Sequence, residues 1–351
     1  MKKILGILML VSVLMLSACQ SDTKHDNGDI SIVTTSFHEF DWVNQIIGED
    51  NEKFDITLLM DNGVDLHSYQ PSVEDIAKIT SADLFIHNGG LSDTWGKDAA
   101  AQAEDLLTIN VMEVLLENDA LVEGHACNHD HAEGESCGHD HAEGESCNHD
   151  HAEGESCGHD HAEGESCGHD HSEHDEHVWL SLKNAIVICE TLTEQICLLD
   201  EANRDVYEQN SANYINLLKE LNETFKATVS EAERDTVIIA DRFPFKYLMN
   251  DYGINHHAAF EGCSAESEAS FETVAFLADK IDELSVEYVI VIENGSDEVD
   301  KTVIDSSDNK DCEIITMSSI EGVGLDAATD GVSYYSLMKN NFETLEKALS
   351  K

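Results

Sequence analysis

The sequence predicts an α/β protein of two similar lobes, each built on a largely parallel sheet and joined by one long rigid helix. Three observations predict it. Short β-branched runs alternate with apolar stripes of helical spacing in the first third of the chain. The same alternation returns in the last third. Between them, residues 178–243 contain neither glycine nor proline.

In the first lobe, strands are expected at residues 30–36, 54–60, 83–87 and 106–111. Between them run the stripes Phe40, Val43, Ile46, Ile47 and Val73, Ile76, Ile79. In the second lobe, strands are expected at 237–241, 256–260, 288–293 and 313–317, with helices at 269–284 and 335–349. In the connector, Tyr207, Tyr214, Leu218, Leu221 and Phe225 recur at helical spacing behind Asp200, the expected N-cap. A helix over 201–231 runs about 45 Å at 1.5 Å per residue. Lobes joined in this way shift only slightly and do not hinge widely.

The domain reading is 1–18 signal peptide, 19–29 linker, 30–180 amino-terminal lobe with an insertion at 124–174, 181–233 helical connector and 234–351 carboxyl-terminal lobe. Lys2 and Lys3, an apolar run at 4–16 and Leu16-Ser17-Ala18-Cys19 look like a bacterial lipobox. Cleavage before Cys19 and lipidation of its thiol tether an extracytoplasmic chain to the bacterial cell membrane. No other apolar run is long enough to span a bilayer.

The chain carries 19 basic and 72 acidic residues, a formal charge of −53. That excludes nucleic acid and an anionic membrane surface as partners, and suits a collector of cations. Of the ten cysteines, five recur ten residues apart in the insertion. Cys189 and Cys197 fall on a helical apolar stripe and are expected as buried thiols. Cys263 and Cys312 follow or end strands of one lobe, and a disulfide between them is expected outside the cytoplasm.

The insertion repeats CNHDHAEGES or CGHDHAEGES four times from Cys127, and the fifth copy breaks off into SEHDEHVWL. Residues 123–177 hold 17 acids and no lysine or arginine. So little apolar surface cannot offset the entropy of ordering, so the stretch is no core. Its imidazoles are expected as accessory metal ligands: His129, His131, His139, His141, His149, His151, His159, His161, His169 and His171. Together with the thiols they suit Zn2+, with Ni2+ or copper as rivals. An acidic spacer grown by repeat slippage explains the copying, but not the histidine and cysteine in every copy.

Two further stretches carry chemistry. GVDLHSYQP, residues 63–71, follows a strand, and the carboxyl ends of parallel strands are where α/β proteins place ligands. His67 is its candidate. DEHVWL, residues 175–180, stands where the repeat meets apolar sequence and offers His177. Two imidazoles begin a Zn2+ or Mn2+ site without completing it.

Together, these two motifs separated by a histidine-rich insertion resemble the zinc/manganese-type substrate-binding lipoproteins of ABC transporters. IVTTSFHEFDWVNQIIGED (32–50) and PSVEDIAKITSADLFIHNGG (71–90) resemble that family too, and the likeness covers nearly all of the mature chain. It implies two α/β lobes bridged by a long helix. It also implies capture of a divalent metal outside the cell for an ABC permease and its ATPase, by a protein expected to be monomeric. By resemblance, His67 and His177 are the first two ligands. Leu66 and Glu176 stand where proline is common before each. The second lobe usually supplies a histidine or glutamate after its first strand; here IADRFPFKY, residues 239–247, offers Asp241. The usual late aspartate falls near 316–319, where none stands, and Glu293 is expected in its place, with Glu321 or a water molecule as alternatives. The expected set is therefore His67, His177, Asp241 and Glu293, holding Zn2+, with Mn2+ or Ni2+ as alternatives.

His38 and His87 are read as supporting or solvated residues near strand ends. His256 and His257 share a strand and cannot both face the cleft. A surface zinc buffer or adhesin and a metallohydrolase compete with the receptor reading. The sequence has no HExxH helix, G-x-S-x-G elbow or phosphate loop, so no enzyme is expected.

Overall fold

The computed structural model describes residues 29–48, 52–122, 174–261, 269–293, 295 and 299–350. The lipobox, the insertion with its ten candidate histidines, and Cys263 lie outside the described residues.

The first lobe runs β1 (Ile30–Thr34), α1 (Phe37–Ile47), β2 (Phe54–Leu58), α2 (Val73–Ser81), β3 (Leu84–His87), α3 (Thr94–Ala100), β4 (Leu107–Asn110) and α4 (Val111–Glu117). Its strands are all parallel, in the order β2-β1-β3-β4. Two connector helices follow, α5 (Leu182–Leu199) and α6 (Arg204–Glu231). The second lobe runs β5 (Thr236–Phe243), α7 (Lys246–Tyr252), β6 (Asn255–Glu261), α8 (Phe271–Leu284), β7 (Tyr288–Ile292), α9 (Val299–Ser306), β8 (Glu313–Met317), α10 (Leu325–Thr329) and α11 (Tyr334–Leu349). Its parallel sheet, β6-β5-β7-β8, repeats the strand order of the first. The predicted fold class is the observed one.

Helix α6 has 28 residues, about 42 Å of rise. Its buried stripe is Tyr207, Tyr214, Ile215, Leu218, Leu221 and Phe225. The amino half lies on the first lobe, where Asn210 Nδ2 donates to the Ile46 carbonyl at 3.1 Å. The carboxyl half lies on the second, where Phe225 stacks on Tyr252 at 4.8 Å. Asp200 does not cap the helix as expected. A single turn, Glu201–Asn203, precedes α6, and the Asp200 carboxylate makes no cap bond. It accepts instead from Tyr207 Oη at 2.7 Å and Lys53 Nζ at 3.1 Å, tying the helix start to the first lobe.

Helix α11 returns to the first lobe. The Tyr334 N–H donates to Asp41 Oδ2 at 3.1 Å, and its hydroxyl donates to the Trp179 carbonyl at 2.6 Å. One continuous apolar core therefore runs through both lobes and the connector. A smaller one, with Leu277, Ile281 and Val303, lies under α8 and α9. Cys189 and Cys197 are free buried thiols, as expected. Cys312 is also a free buried thiol, and its Sγ donates to the Val286 carbonyl at 3.7 Å. Among the described residues no helix is long and apolar enough to cross a membrane.

Asp41 sits buried at this junction. Burial pushes its carboxyl up to about 6, against the donors Gln45, Tyr334 and Tyr214. A raised carboxyl binds more protons folded than unfolded, so its contribution is most favourable below pH 4 and is lost as pH rises through 6. A shift of two units is worth about 3 kcal/mol. Asp41→Asn keeps an acceptor and removes the charge. By scanning calorimetry, the variant should gain on the wild type in melting temperature between pH 4.5 and 7.5. A constant difference across that range would show that burial does not raise the Asp41 carboxyl and that it is already charged at pH 4.5.

Candidate metal centre

Three loops converge at the carboxyl ends of the strands. The first follows β2. In it Asp65 Oδ1 accepts the His67 N–H at 2.8 Å, opening the short turn Leu66–Ser68. Gly63 has φ +67°, and a Cβ there would stand 2.6 Å from the Gly322 carbonyl oxygen. Glycine is needed at this point because the loop lies directly on the third one. The second loop carries His177. Asp175 Oδ1 accepts both its N–H, at 3.0 Å, and its Nδ1–H, at 2.9 Å. Val178, Trp179 and Leu180 follow, all fully buried, so the fold is anchored one residue after the imidazole.

The third loop leaves β8 and carries Glu321. Here Ile320 adopts φ +67°, the left-handed region that a β-branched residue rarely enters. Its neighbours hold it there. Glu293 accepts from Ser319 N at 2.7 Å, Ile320 N at 3.2 Å and the Ser318 and Ser319 hydroxyls at 3.0 Å each. Asn341 accepts from Ser318 N at 2.7 Å, and Trp179 Nε1 donates to the Ser319 carbonyl at 2.8 Å.

The three side chains meet. His67 Nε2 and His177 Nε2 are 3.3 Å apart, and Glu321 Oε1 lies 3.4 Å from the first and 3.5 Å from the second. Each imidazole has its Nδ1 occupied: His177 by Asp175, and His67 by Ser92 Oγ at 2.6 Å. A donated Nδ1–H leaves the Nε2 lone pair for a metal. Glu321 is buried, and its Oε1 takes no hydrogen bond among the described residues. Burial alone raises such a carboxyl, but the two imidazoles beside it outweigh burial and hold Glu321 far below the usual range. An anionic oxygen kept from water, facing two imidazole nitrogens, is a cation's surroundings.

The structure brings together only part of the expected set. His67 and His177 meet as read, and the third member of the trio is Glu321, which the sequence offered only as an alternative. Asp241 is not in the trio. Its carboxylate accepts from its neighbour Arg242 N at 2.8 Å and from Ile292 N at 3.3 Å, against Gly295, where a Cβ would come within 1.9 Å. Glu293 is not in it either, because its oxygens are taken by the loop that presents Glu321.

Glu176 has a use that the missing proline does not suggest. Its carboxylate accepts from Leu91 N and from Ser92 N at 3.1 Å, fixing the serine that orients His67. His38 is not solvated. It is stacked on Trp179 at 4.6 Å, and burial keeps it neutral by pulling its pKa down to about 3. His87 is buried too, 3.3 Å from Asp93. His256 stacks on Phe243 and His257 meets Phe276, the opposite directions expected of neighbours in a strand.

The family model described as ZnuA, zinc-uptake complex component A, periplasmic, matches residues 32–348. The zinc-binding protein AdcA of Streptococcus pyogenes serotype M3 is 28% identical over 347 residues, covering 98% of this chain and 61% of its own. The chain thus spans about three fifths of the length of these streptococcal relatives. The high-affinity zinc uptake system protein ZnuA of Bacillus subtilis is 28% identical over 362 residues, 99% of this chain and 98% of its own. Among solved structures, the metal-dependent lipoprotein YcdH of Bacillus subtilis superposes with a TM-score of 0.67 at 24% identity, covering 92% of this chain and 99% of its own. Zn(II)-bound AdcA of Streptococcus pneumoniae gives 0.66 at 21%, covering 92% and 58%. At that identity the two structures share the fold.

Proposed function

Because the chain belongs to the zinc-uptake complex component A family, we propose that it captures Zn2+ between its lobes and presents it to an ABC permease with its ATPase. One observation carries the reading. Bonds of 2.0–2.1 Å to a tetrahedral ion place neighbouring ligand atoms roughly 3.3–3.4 Å apart. The trio His67, His177 and Glu321 forms a triangle with edges of 3.3, 3.4 and 3.5 Å. Two imidazoles and one carboxylate suit zinc, whereas manganese favours a larger set of oxygens. The lipid anchor at Cys19 holds the receptor outside the membrane, and the repeat feeds it as an accessory collector.

The test is calorimetric zinc titration under reducing conditions, on the mature chain and on a version lacking residues 124–173. One tight site is expected to survive the deletion and to vanish with His67→Ala. If all tight binding leaves with the repeat, the protein is a tethered zinc buffer and not a receptor.

A further inference from the structure

We propose that the segment 241–247 of the second lobe, where a ligand was expected, instead clamps the metal centre, with Arg242 and Tyr247 as positioning residues for the two histidine loops. The inference rests on the zinc reading above and adds what holds the ligands in register.

Arg242 reaches the first loop. The register of β5 shifts between Ile239 and Arg242, and the guanidinium crosses to the first lobe. Its Nη1 donates to Asp65 Oδ2 at 3.2 Å, while Asp65 Oδ1 accepts the His67 N–H at 2.8 Å. One carboxylate thus connects the second lobe to the backbone of the first ligand. Tyr247 reaches the second loop. Its buried hydroxyl donates to the Asp175 carbonyl at 2.9 Å and accepts the Val122 N–H at 3.2 Å. The Asp175 carboxylate then holds both the N–H and the Nδ1–H of His177. Asp175 N also donates to the Val122 carbonyl at 3.1 Å, so the insertion leaves and re-enters the fold at a neck that this phenol closes.

Each first-lobe ligand is therefore linked through a single aspartate, two residues before it, to a second-lobe hydrogen bond. Glu321 already belongs to the second lobe. Separating the lobes removes Glu321, the Asp65 tether and the Asp175 tether together, so lobe separation and loss of metal become one event. A second-lobe ligand, as expected at Asp241, achieves this by direct coordination. Here the same end is reached by gripping the ligand loops from behind.

The experiment measures Zn2+ affinity by chelator competition for Arg242→Ala, Arg242→Lys, Tyr247→Phe and the Arg242→Ala/Tyr247→Phe double variant. It uses the full mature chain and a chain in which residues 124–173 are replaced by a short glycine-serine bridge. Every described strand and helix lies outside that stretch, and Val122 and Asp175, which flank it, are hydrogen-bonded to each other. In the bridged chain, the visible bands of bound Co2+ report the ligand geometry. Arg242→Ala and Tyr247→Phe should each weaken zinc tenfold or more. The double variant should lose the intense tetrahedral cobalt bands, and Arg242→Lys should recover most of the affinity. Unchanged affinity and spectra overturn the clamp. So does an affinity loss that only follows the melting temperature of the metal-free protein, with no rescue by lysine. If the unsubstituted bridged chain binds no zinc tightly, the zinc reading itself fails, and the clamp with it.

Discussion

Glu321→Gln is expected to weaken zinc binding by a hundredfold or more while leaving the fold intact. The amide keeps the shape of the carboxylate and removes the charge that faces the ion. Substituting a group that merely orients a ligand commonly costs about 10–100-fold in metal affinity, and Glu321 is placed to touch the metal itself. The metal-free variant should fold but be somewhat less stable than the wild type at neutral pH, because the two imidazoles favour the Glu321 anion by more than burial disfavours it. Asp241→Asn, by contrast, should change affinity only a few-fold, because that carboxylate is occupied with Arg242 N and Ile292 N. Chelator-competition titrations of the two variants decide the matter. The opposite ranking would return Asp241 to the ligand set and remove Glu321.

Glu293→Ala should cost about 3–4 kcal/mol of stability, the largest effect expected from any one side chain outside the core. The carboxylate accepts from two backbone N–H groups and two hydroxyls of residues 318–320. Each buried donor left without an acceptor costs about 1–3 kcal/mol. The left-handed Ile320 also loses what holds it, and Glu321 is the next residue along. Zinc affinity should therefore fall about tenfold as a secondary effect. Glu293→Gln retains one acceptor oxygen and should recover more than half of the stability. Urea denaturation of the metal-free variants measures both. If alanine abolished zinc binding with stability untouched, Glu293 would be a ligand, as first read from the sequence.

Much of this centre is local, and local features are legible. His67 and His177 each lie two residues after an aspartate, and each aspartate accepts its histidine's own backbone N–H. The recurring Asp-x-His marked both positions, although its purpose shows only in the hydrogen bonds. The strands were legible because parallel strands buried on both faces read as unbroken β-branched runs. The third member of the trio was less so. Choosing between Glu293 and Glu321 depends on the direction of the turn at Ile320, and an isoleucine gives no sign of a left-handed backbone. Asp241 was the only hard ligand in its stretch, but the register shift in β5 turns Arg242 toward the first lobe. Asp200 had the chemistry of a cap, but a phenol and an ammonium brought from elsewhere in the chain took its oxygens.

Helix α11 comes late in the sequence, yet the first lobe depends on it. Asp41 and Tyr334, which meet at the junction, are 293 residues apart. At 5–20 residues per second, the ribosome takes roughly 15–60 s to make that stretch. During that interval α1 lacks the surface that covers it, and contacts this distant form slowly even once the chain is complete. The nascent protein therefore passes through a long phase in which no lobe is finished.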